Sequence, residues 1–402
     1  MQVKNLPQEF IEALPVLEQI RQAGFEAYFV GGSVRDTLLG LPIHDVDIAT
    51  SAYPAEIKDI FERTVDTGIE HGTVMVLDHG NGYEITTFRT ESGYQDFRRP
   101  DKVEFVRSLK EDLKRRDLTI NALALAPDGT VIDLFSGITD LENKVLRAVG
   151  QPEERFFEDA LRMMRTVRFA SQLGFSIETD TFAAIAKNAH LLEKIAVERI
   201  HVEWVKLLLG QDLKQGVAAF LKTELYRYCP GLAQQKENLA KLLELDEFQL
   251  ADELACWSLL CYLCDFSISD AKKFLKSWKT SNEIITEVTN VLTLLKHADE
   301  PTIDPFSCYK AKEKATQTAA DLAEILQLKL SKETLITTYE QLPIKDKAQL
   351  TINGKVLIEK LSLKPGPILG KVLNILEHEV VLGNLPNQSE VLLQRAQELS
   401  KD

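Results

Sequence analysis

The chain has 402 residues and a formal net charge of −14. This charge argues against diffuse binding to polyanions, because nucleic-acid contact depends on neutralising phosphates. No apolar run approaches the roughly 18 residues of a membrane-spanning helix, so we expect a soluble chain of about three domains or subdomains. The N-terminal residues show no signal-peptide core, and a cytoplasmic location with reduced thiols follows as an expectation.

The first informative elements lie between residues 27 and 50. An apolar run at 27–30 predicts a strand, and it breaks at Gly31 and Gly32 into a predicted helix. A second predicted strand carries Asp45 and Asp47 with one residue between them. Side chains alternate along a strand, so both carboxylates leave the same face, roughly 7 Å apart at Cα. Mg²⁺ prefers carboxylate and phosphate oxygens, so the pair indicates a metal site.

The glycine pair indicates a phosphate site beside that metal. Without Cβ atoms, Gly31 and Gly32 let backbone N–H groups approach a triphosphate, with a helix N-terminus behind them. Each signal has a plainer alternative, because Gly-Gly also makes ordinary turns and Asp-x-Asp also occurs on solvated strand edges. Found together at this spacing, they predict a metal ion held next to a nucleotide triphosphate.

A helical segment at 156–169, FFEDALRMMRTVRF, carries groups suited to reading a base. Asp159, Arg162 and Arg165 recur every three residues, which predicts a shared helix face. A carboxylate accepts from an exocyclic amino group and a guanidinium donates to ring nitrogens and carbonyls, so one such pair fits both cytosine and adenine. The alternative is an intrahelical salt bridge. Further on, Arg199 and Glu203 stand one helical turn apart and are predicted to brace this helix.

These segments occur together with the strings RRDLTINA at 115–122, DLFSGITDLENKVLR at 133–147 and ERIHVEW at 198–204. In this order, between residues 31 and 204, they resemble the five motifs of the class II tRNA nucleotidyltransferase and bacterial poly(A) polymerase family. The resemblance implies template-independent addition of the 3′-terminal CCA to tRNA from CTP and ATP, with release of pyrophosphate.

The resemblance also implies a role for each site residue. The catalytic carboxylates are Asp45, Asp47 and Glu84, with Mg²⁺ at Asp45 and Asp47. The triphosphate is bound by Gly31, Gly32, Ser33 and Arg35, and the ribose and phosphates by Arg116, Asp117 and Asn121. The base is read by Asp159, Arg162 and Arg165, with Glu158, Arg168, Arg199 and Glu203 in support.

The fold class predicted is α+β. Strands alternate with helical stretches up to about residue 150, and long amphipathic periods dominate afterwards. The family division gives a small mixed α/β nucleotidyltransferase head at 1–150, followed by an all-helical neck at 151–210, body at 211–305 and tail at 306–402. The polar segment 89–105 is predicted to be a mobile loop near the active site. We expect its part from Arg89 to Arg99 to act as a lid that favours ATP addition.

The resemblance implies CTP, ATP and tRNA that lacks its 3′ CCA as partners, and we expect no association with a membrane. Residues 345–371 hold six Lys against two acidic residues, so this part of the tail predicts either a tRNA-contacting surface or an ordinary solvated face. The sequence does not determine the oligomeric state, and a homodimer is one of the alternatives.

Several alternatives remain at this point. Within the family they are a poly(A) polymerase and a partial enzyme that adds only C or only A. His44 and Asp45 also spell the dyad of HD-type phosphohydrolases, and a non-catalytic helical RNA-binding protein is a further reading. Cys256, Cys261 and Cys264 have iron–sulfur-like spacing, with Cys308 as a fourth ligand, but their apolar helical context favours free buried cysteines.

Overall fold

The computed structural model describes residues 1–95 and 99–400, and the chain divides into two compact units, Met1–Lys236 and Glu237–Asp402. The described strands all lie in the first unit. They are β1 (Ala27–Val30), β2 (Asp47–Thr50), β3 (Thr64–Gly68), β4 (Thr73–Asp78), β5 (Asn81–Thr87), β6 (Arg89–Gln95), β7 (Arg99–Phe105), β8 (Leu123–Leu125), β9 (Val131–Asp133), β10 (Val145–Leu146) and β11 (Ser176–Ile177).

The helices of the first unit surround the sheet and continue beyond it. They are α1 (Gln8–Gln22), α2 (Gly32–Leu39), α3 (Pro54–Ile60), α4 (Leu109–Lys114), α5 (Gly137–Glu142), α6 (Pro152–Glu158), α7 (Leu161–Leu173), α8 (Thr179–Asn188), α9 (Val197–Leu208) and α10 (Leu213–Lys222). Short 3₁₀ turns lie at Ile69–His71, Thr119–Asn121, Ala189–Lys194 and Leu225–Tyr228.

All the regular secondary structure described in the second unit is helical. Its helices are α11 (Lys236–Glu244), which begins at the boundary, α12 (Glu253–Leu263), α13 (Ile268–Ser277), α14 (Asn282–Leu295), α15 (Pro305–Ile325), α16 (Lys332–Glu340), α17 (Gly354–Leu361), α18 (Pro367–Val381) and α19 (Ser389–Leu399), with a 3₁₀ turn at Lys347–Gln349. The predicted α+β class is therefore confirmed, with one small addition after residue 150, the two-residue strand β11. The four-part division at 150, 210 and 305 stays a prediction.

The central sheet has seven strands in the order β3-β4-β5-β2-β1-β8-β9. Neighbouring strands run antiparallel except β2 and β5, which are parallel. Alternate residues of β1 face the core, where the ring of Phe29 stacks on Phe10 of α1 at 4.5 Å between centroids. This sheet sets the end of β1 beside the start of β2, which is where the candidate site lies.

Residues 89–105 form strands, so the prediction of a loop is wrong for the part that the structure describes. β6 and β7 pair antiparallel, from Arg89 opposite Phe105 to Gln95 opposite Arg99. This two-stranded ribbon is separate from the main sheet. Backbone hydrogen bonds alone can pair its two strands, so the sequence needs no alternation of apolar residues there. The remainder of the predicted loop, at 96–98, lies outside the described residues.

The cysteines of the second unit belong to its helical core. Cys256 and Cys261 are fully buried on α12, and Cys308 is fully buried on α15. Burial raises the pKa of Cys264 and of Cys308 to about 12, so these thiols stay protonated at neutral pH.

Across the described part of the chain, none of the helices is both long and apolar enough to cross a membrane.

A packing prediction concerns α10, which crosses α7 at Gly216. A Cβ there would lie 2.5 Å from Ser171 Cβ and 3.1 Å from the Val167 carbonyl oxygen. We expect Gly216→Ala to destabilise the protein by about 1–3 kcal/mol, because the two backbones must separate. Gly370 of α18 has nothing within 4 Å of such an atom, so Gly370→Ala is the matched control. Thermal unfolding should show the control unchanged or up to about 1 kcal/mol more stable. Equal melting of the two variants would contradict the packing argument.

Candidate active site

A cavity of about 750 Å³ opens in the first unit where β1, β2 and β5 meet α7 and α9. It brings together most of the residues that the sequence singled out, which are Gly31, Gly32, Arg35, Asp45, Asp47, Glu84, Arg116, Asp117, Asn121, Asp159, Arg162, Arg165, Arg168 and Arg199. Ser33, Glu158 and Glu203 are absent from its described lining. Segments distant in sequence therefore share one polar wall.

Three carboxylates stand at one end of this cavity. Asp47 is the first residue of β2, and the parallel register sets it directly beside Glu84 of β5. Withdrawal from water raises the pKa of Asp47, Arg116 lowers it, and Glu84 and Asp45 raise it further. The three acidic groups therefore act on one another, as expected where a cation is to be bound.

The structure corrects one detail of this group. β2 begins at Asp47, so Asp45 precedes the strand instead of lying on it. The pairing with β1 ends at Val30 opposite Asp47, and Gly31 then turns the first chain away with a φ of 78°. Asp45 has no strand partner for that reason, yet it still lines the cavity beside Asp47.

The donor set fits a hard divalent cation held partly by substrate. Within the described residues, no group of three or more His, Cys, Asp or Glu side chains could hold an ion by themselves. Mg²⁺ typically takes one or two protein carboxylates and completes its coordination with water and substrate phosphates. Asp45 and Asp47 supply such a pair at an open cavity, with Glu84 alongside.

The predicted phosphate cradle is centred on Gly31. This residue is the N-cap of α2, and a Cβ on it would lie 3.0 Å from Arg116 Nη1 and 3.7 Å from Asp47 Oδ2. Arg35, on the first turns of α2, donates to Asn121 Oδ1 at 2.7 Å. Ser33 instead donates its hydroxyl to the Val30 carbonyl oxygen, so its side chain faces the backbone.

The sequence reasoning missed Asp112, which organises the arginine pair of RRDLTINA. Its carboxylate is 1% exposed and lies 2.8 Å from Arg115 Nη2 and 3.4 Å from Arg116 Nη2. Burial would raise the pKa of Asp112, but these two guanidiniums hold it below its usual range. Its spacing three and four residues before the arginines was the available signal.

Asp117 connects this segment to α7. Its Oδ2 accepts from Arg165 Nε at 2.7 Å, and its Oδ1 accepts from Asn121 Nδ2 at 3.1 Å. Burial opposes the charge, but Arg165 and Asn121 together hold the pKa of Asp117 well below its usual range. Asp117 is therefore ionised and fixed in place before any ligand arrives.

The predicted shared helix face is wrong for Asp159. α6 ends at Glu158, and Asp159 has extended backbone angles of φ −141° and ψ 105° before α7 begins. The chain breaks there because the Asp159 carboxylate accepts from the backbone N–H of Leu161 at 3.0 Å, as helix-capping residues do. Arg162 lies on α7 and pairs with Glu158 at 2.5 Å.

α9 braces this region through two contacts. Arg199 Nη2 lies 2.6 Å from Asp159 Oδ2, and Arg168 Nε lies 2.6 Å from Glu203 Oε2. The second pair is almost entirely buried and meets without hydrogen-bond geometry, so it is an electrostatic contact. Arg199 and Glu203 thus both contact the segment that includes Asp159 and α7. That segment's role in base choice stays a prediction.

Three family models match consecutive parts of the chain. The poly A polymerase head domain covers residues 27–147, the RNA and SrmB-binding site of polymerase A covers 174–236, and tRNA nucleotidyltransferase domain 2 covers 248–396. The resemblance inferred from the motifs is therefore confirmed. The head model spans the sheet and its carboxylates.

Similar proteins match over the whole length. The CCA-adding enzyme of Ligilactobacillus salivarius is 58% identical over 402 residues, which is 100% of both chains, and that of Limosilactobacillus reuteri (strain DSM 20016) is 54% identical over the same length, again 100% of both chains. A crystal structure of the Bacillus stearothermophilus CCA-adding enzyme in complex with CTP is 39% identical, with a TM-score of 0.89 and 98% of each chain covered. Identity of this extent shows that the chain belongs to the family of CCA-adding enzymes, which are tRNA nucleotidyltransferases.

Proposed function

We propose that this protein completes the 3′ end of tRNA by adding C, C and A from CTP and ATP, with release of pyrophosphate. The observation that carries the proposal is a single cavity that joins the carboxylates Asp45, Asp47 and Glu84 to the base-reading groups Asp159 and Arg162. The proposal is supported by the whole-length relatives named CCA-adding enzyme and by the similar structure that holds CTP.

The family uses divalent metal ions, and we propose Mg²⁺ for this chain, held by Asp45 and Asp47 with Glu84 assisting. When bound, Mg²⁺ lowers the pKa of the primer's 3′-hydroxyl and stabilises charge on the leaving pyrophosphate. The 3′-hydroxyl gives up its proton to solvent and its oxygen bonds to the α-phosphorus, while the bond from that phosphorus to the pyrophosphate oxygen breaks and pyrophosphate leaves. The side chains of the site position the reacting groups and supply electrostatic stabilisation.

Arg116, Asp117 and Asn121 are proposed to hold the ribose and phosphates. Asn121 is already fixed at both ends of its amide, by Arg35 and by Asp117. A fixed carboxylate and amide can hydrogen-bond a 2′-hydroxyl, and Arg116 suits phosphate oxygens. This prior ordering reduces the loss of side-chain entropy when the nucleotide binds.

Asp159 and Arg162 are proposed to take the place of a nucleic-acid template. Asp159 is ion-paired with Arg199 and Arg162 with Glu158, so each base-reading group is held by a neighbour. Cytosine and adenine both present an amino donor beside a ring acceptor, which matches a carboxylate next to a guanidinium. Uracil and guanine present the opposite order on that edge.

Base choice gives a direct prediction. Asp159→Ala removes the acceptor for the exocyclic amine, so discrimination of CTP against UTP should fall by about 1–3 kcal/mol, the scale of one good base-edge contact. The measurement is kcat/KM for each nucleotide on the same primer. Glu154→Ala, an exposed carboxylate of α6 outside the described cavity lining, is the matched control. An equal slowing of CTP and UTP by Asp159→Ala would instead make Asp159 a structural residue.

We propose that the tail contacts tRNA through the lysines of α17, α18 and the turns around them. Lys355, Lys360, Lys364 and Lys371 are all exposed. The match of residues 248–396 to a tRNA nucleotidyltransferase domain supports this placement. Because the acidic chain as a whole repels polyanions, binding of tRNA has to depend on local basic surfaces such as this one.

The tail proposal predicts a change in salt dependence. Replacing Lys360, Lys364 and Lys371 together by alanine should weaken tRNA binding at low salt. The slope of log K against log salt should become shallower by about 0.7–0.9 for each phosphate that the variant no longer neutralises. CTP binding without tRNA serves as the internal control and should not change. An unchanged slope would indicate an ordinary solvated face.

The simplest test of the function is incorporation of labelled CTP into tRNA that ends before CCA. We expect incorporation with Mg²⁺ and none with excess chelator. An HD-type hydrolase would release phosphate without extending the RNA. His44 is exposed, and no histidine belongs to the described lining of the cavity, so the structure offers no support for that alternative.

A further inference from the structure

We propose that Lys206 binds the pyrophosphate portion of the incoming nucleotide, the part that leaves in the reaction. The inference rests on the proposed nucleotide site and adds a residue that the sequence motifs did not assign. Lys206 lies on α9, its side chain is exposed, and it lines the same cavity as the carboxylates and the base-reading groups.

The position of Lys206 along α9 points to the phosphate end of the site. At the start of α9, Arg199 pairs with Asp159, which marks the base end. One turn later Glu203 contacts Arg168, about two turns after the start of α7. Lys206 follows on the same helix face, about 10 Å from Arg199 at 1.5 Å per residue. That rise is on the order of the span from a base to its β-phosphate.

The arginines around Phe169 identify that end independently. The guanidinium carbon of Arg168 lies 3.7 Å from the Phe169 ring centroid, and that of Arg35 lies 4.9 Å from it. Arg35 belongs to α2, directly behind the Gly31 turn that forms the phosphate cradle. Arg168, which Glu203 of α9 contacts, therefore shares the Phe169 ring with Arg35 behind the cradle, and Lys206 lies one turn beyond Glu203 in the lining of the same cavity.

Charge gives the reason for a lysine here. The arginines of α7 and α9 that line the cavity are each paired with a carboxylate, as described above. Within the described residues, Lys206 has neither an ion pair nor a hydrogen-bond partner, so its charge is not neutralised by a neighbour. A triphosphate brings several negative charges, and a mobile ammonium can follow the pyrophosphate as it separates.

The test compares the binding of CTP and CMP by calorimetry, with Mg²⁺ and without tRNA, so that no reaction occurs. Lys206→Met should weaken CTP binding about tenfold, the loss of one charged hydrogen bond, and leave CMP binding within about twofold. Lys206→Arg should retain most of the CTP affinity. Lys194→Met, an exposed lysine outside the cavity lining, is the matched control and should bind both ligands as the unmodified protein does.

Two results would overturn the inference. Unchanged CTP binding by Lys206→Met would show that the lysine does not reach the phosphates. An equal weakening of CTP and CMP would place its effect on the base, the ribose or the fold. Failure of the proposed function itself would be distinct, because the unmodified protein would then bind no CTP.

Discussion

Replacing Asp47 by alanine is expected to lower CTP incorporation about a thousandfold, because it removes a proposed metal ligand, and the metal contributes several kcal/mol of transition-state stabilisation. Folding should change little, since Asp47 lies at the open end of β2 and its burial already raises its pKa. Asp45→Ala is expected to act in the same way. The measurement is single-turnover incorporation at saturating CTP, with tRNA binding measured in parallel.

Metal binding gives this prediction a second readout. Mg²⁺ should raise the melting temperature of the unmodified protein, because a ligand that binds only the folded state stabilises it, and the rise should be smaller in Asp47→Ala. Asp59→Ala removes an exposed carboxylate of α3 outside the cavity lining and should behave like the unmodified protein in both assays. Full turnover by Asp47→Ala at ordinary Mg²⁺ would refute the assignment of the metal site.

The second large effect concerns stability. Glu203→Gln leaves Arg168 buried without its carboxylate partner, and breaking such a pair typically costs about 3–5 kcal/mol. Burial already lowers the pKa of Arg168 to about 10, with Glu203 acting against that change. For a unit of this size the melting temperature should fall by roughly 10 °C. Glu198→Gln, an exposed glutamate on the same helix, is the control and should melt normally.

A double-mutant cycle separates the pair from its surroundings. Arg168→Met combined with Glu203→Leu replaces both charges by apolar groups, so we expect the double variant to be more stable than either single variant. The unmodified protein, the two single variants and the double variant are compared by thermal unfolding at the same pH and salt. Additive destabilisation in the double variant would mean that the two side chains stabilise the fold through different contacts.

Local sequence was sufficient for the strand, turn and helix around Gly31. There the apolar run, the glycine and the following helix are contiguous, and the positive φ of Gly31 restricts that position to glycine. Asp45 was misplaced because the start of β2 depends on where β1 ends, and no local pattern records that pairing. The carboxylate group itself was nevertheless predicted, since its members line one cavity.

The segment predicted to read the base shows where local sequence was not sufficient. A spacing of three continues across the break at Asp159, so periodicity alone predicts one helix face. The break depends on a cap within the segment, and the ion pair that fixes Asp159 comes from Arg199, which lies 40 residues later. Similarly, the contact of Arg168 with Glu203 is tertiary. By contrast, Asp112 could have been found from its helical spacing to Arg115 and Arg116.

The central claim is that this one cavity accepts both CTP and ATP and completes CCA. The most direct measurement is to incubate the purified protein with Mg²⁺, both nucleotides and tRNA that ends before CCA, and then to sequence the 3′ ends of the products. We predict ends of CCA, with products that stop at CC when ATP is left out. Long adenosine tails, or ends that never pass CC with both nucleotides present, would contradict the account.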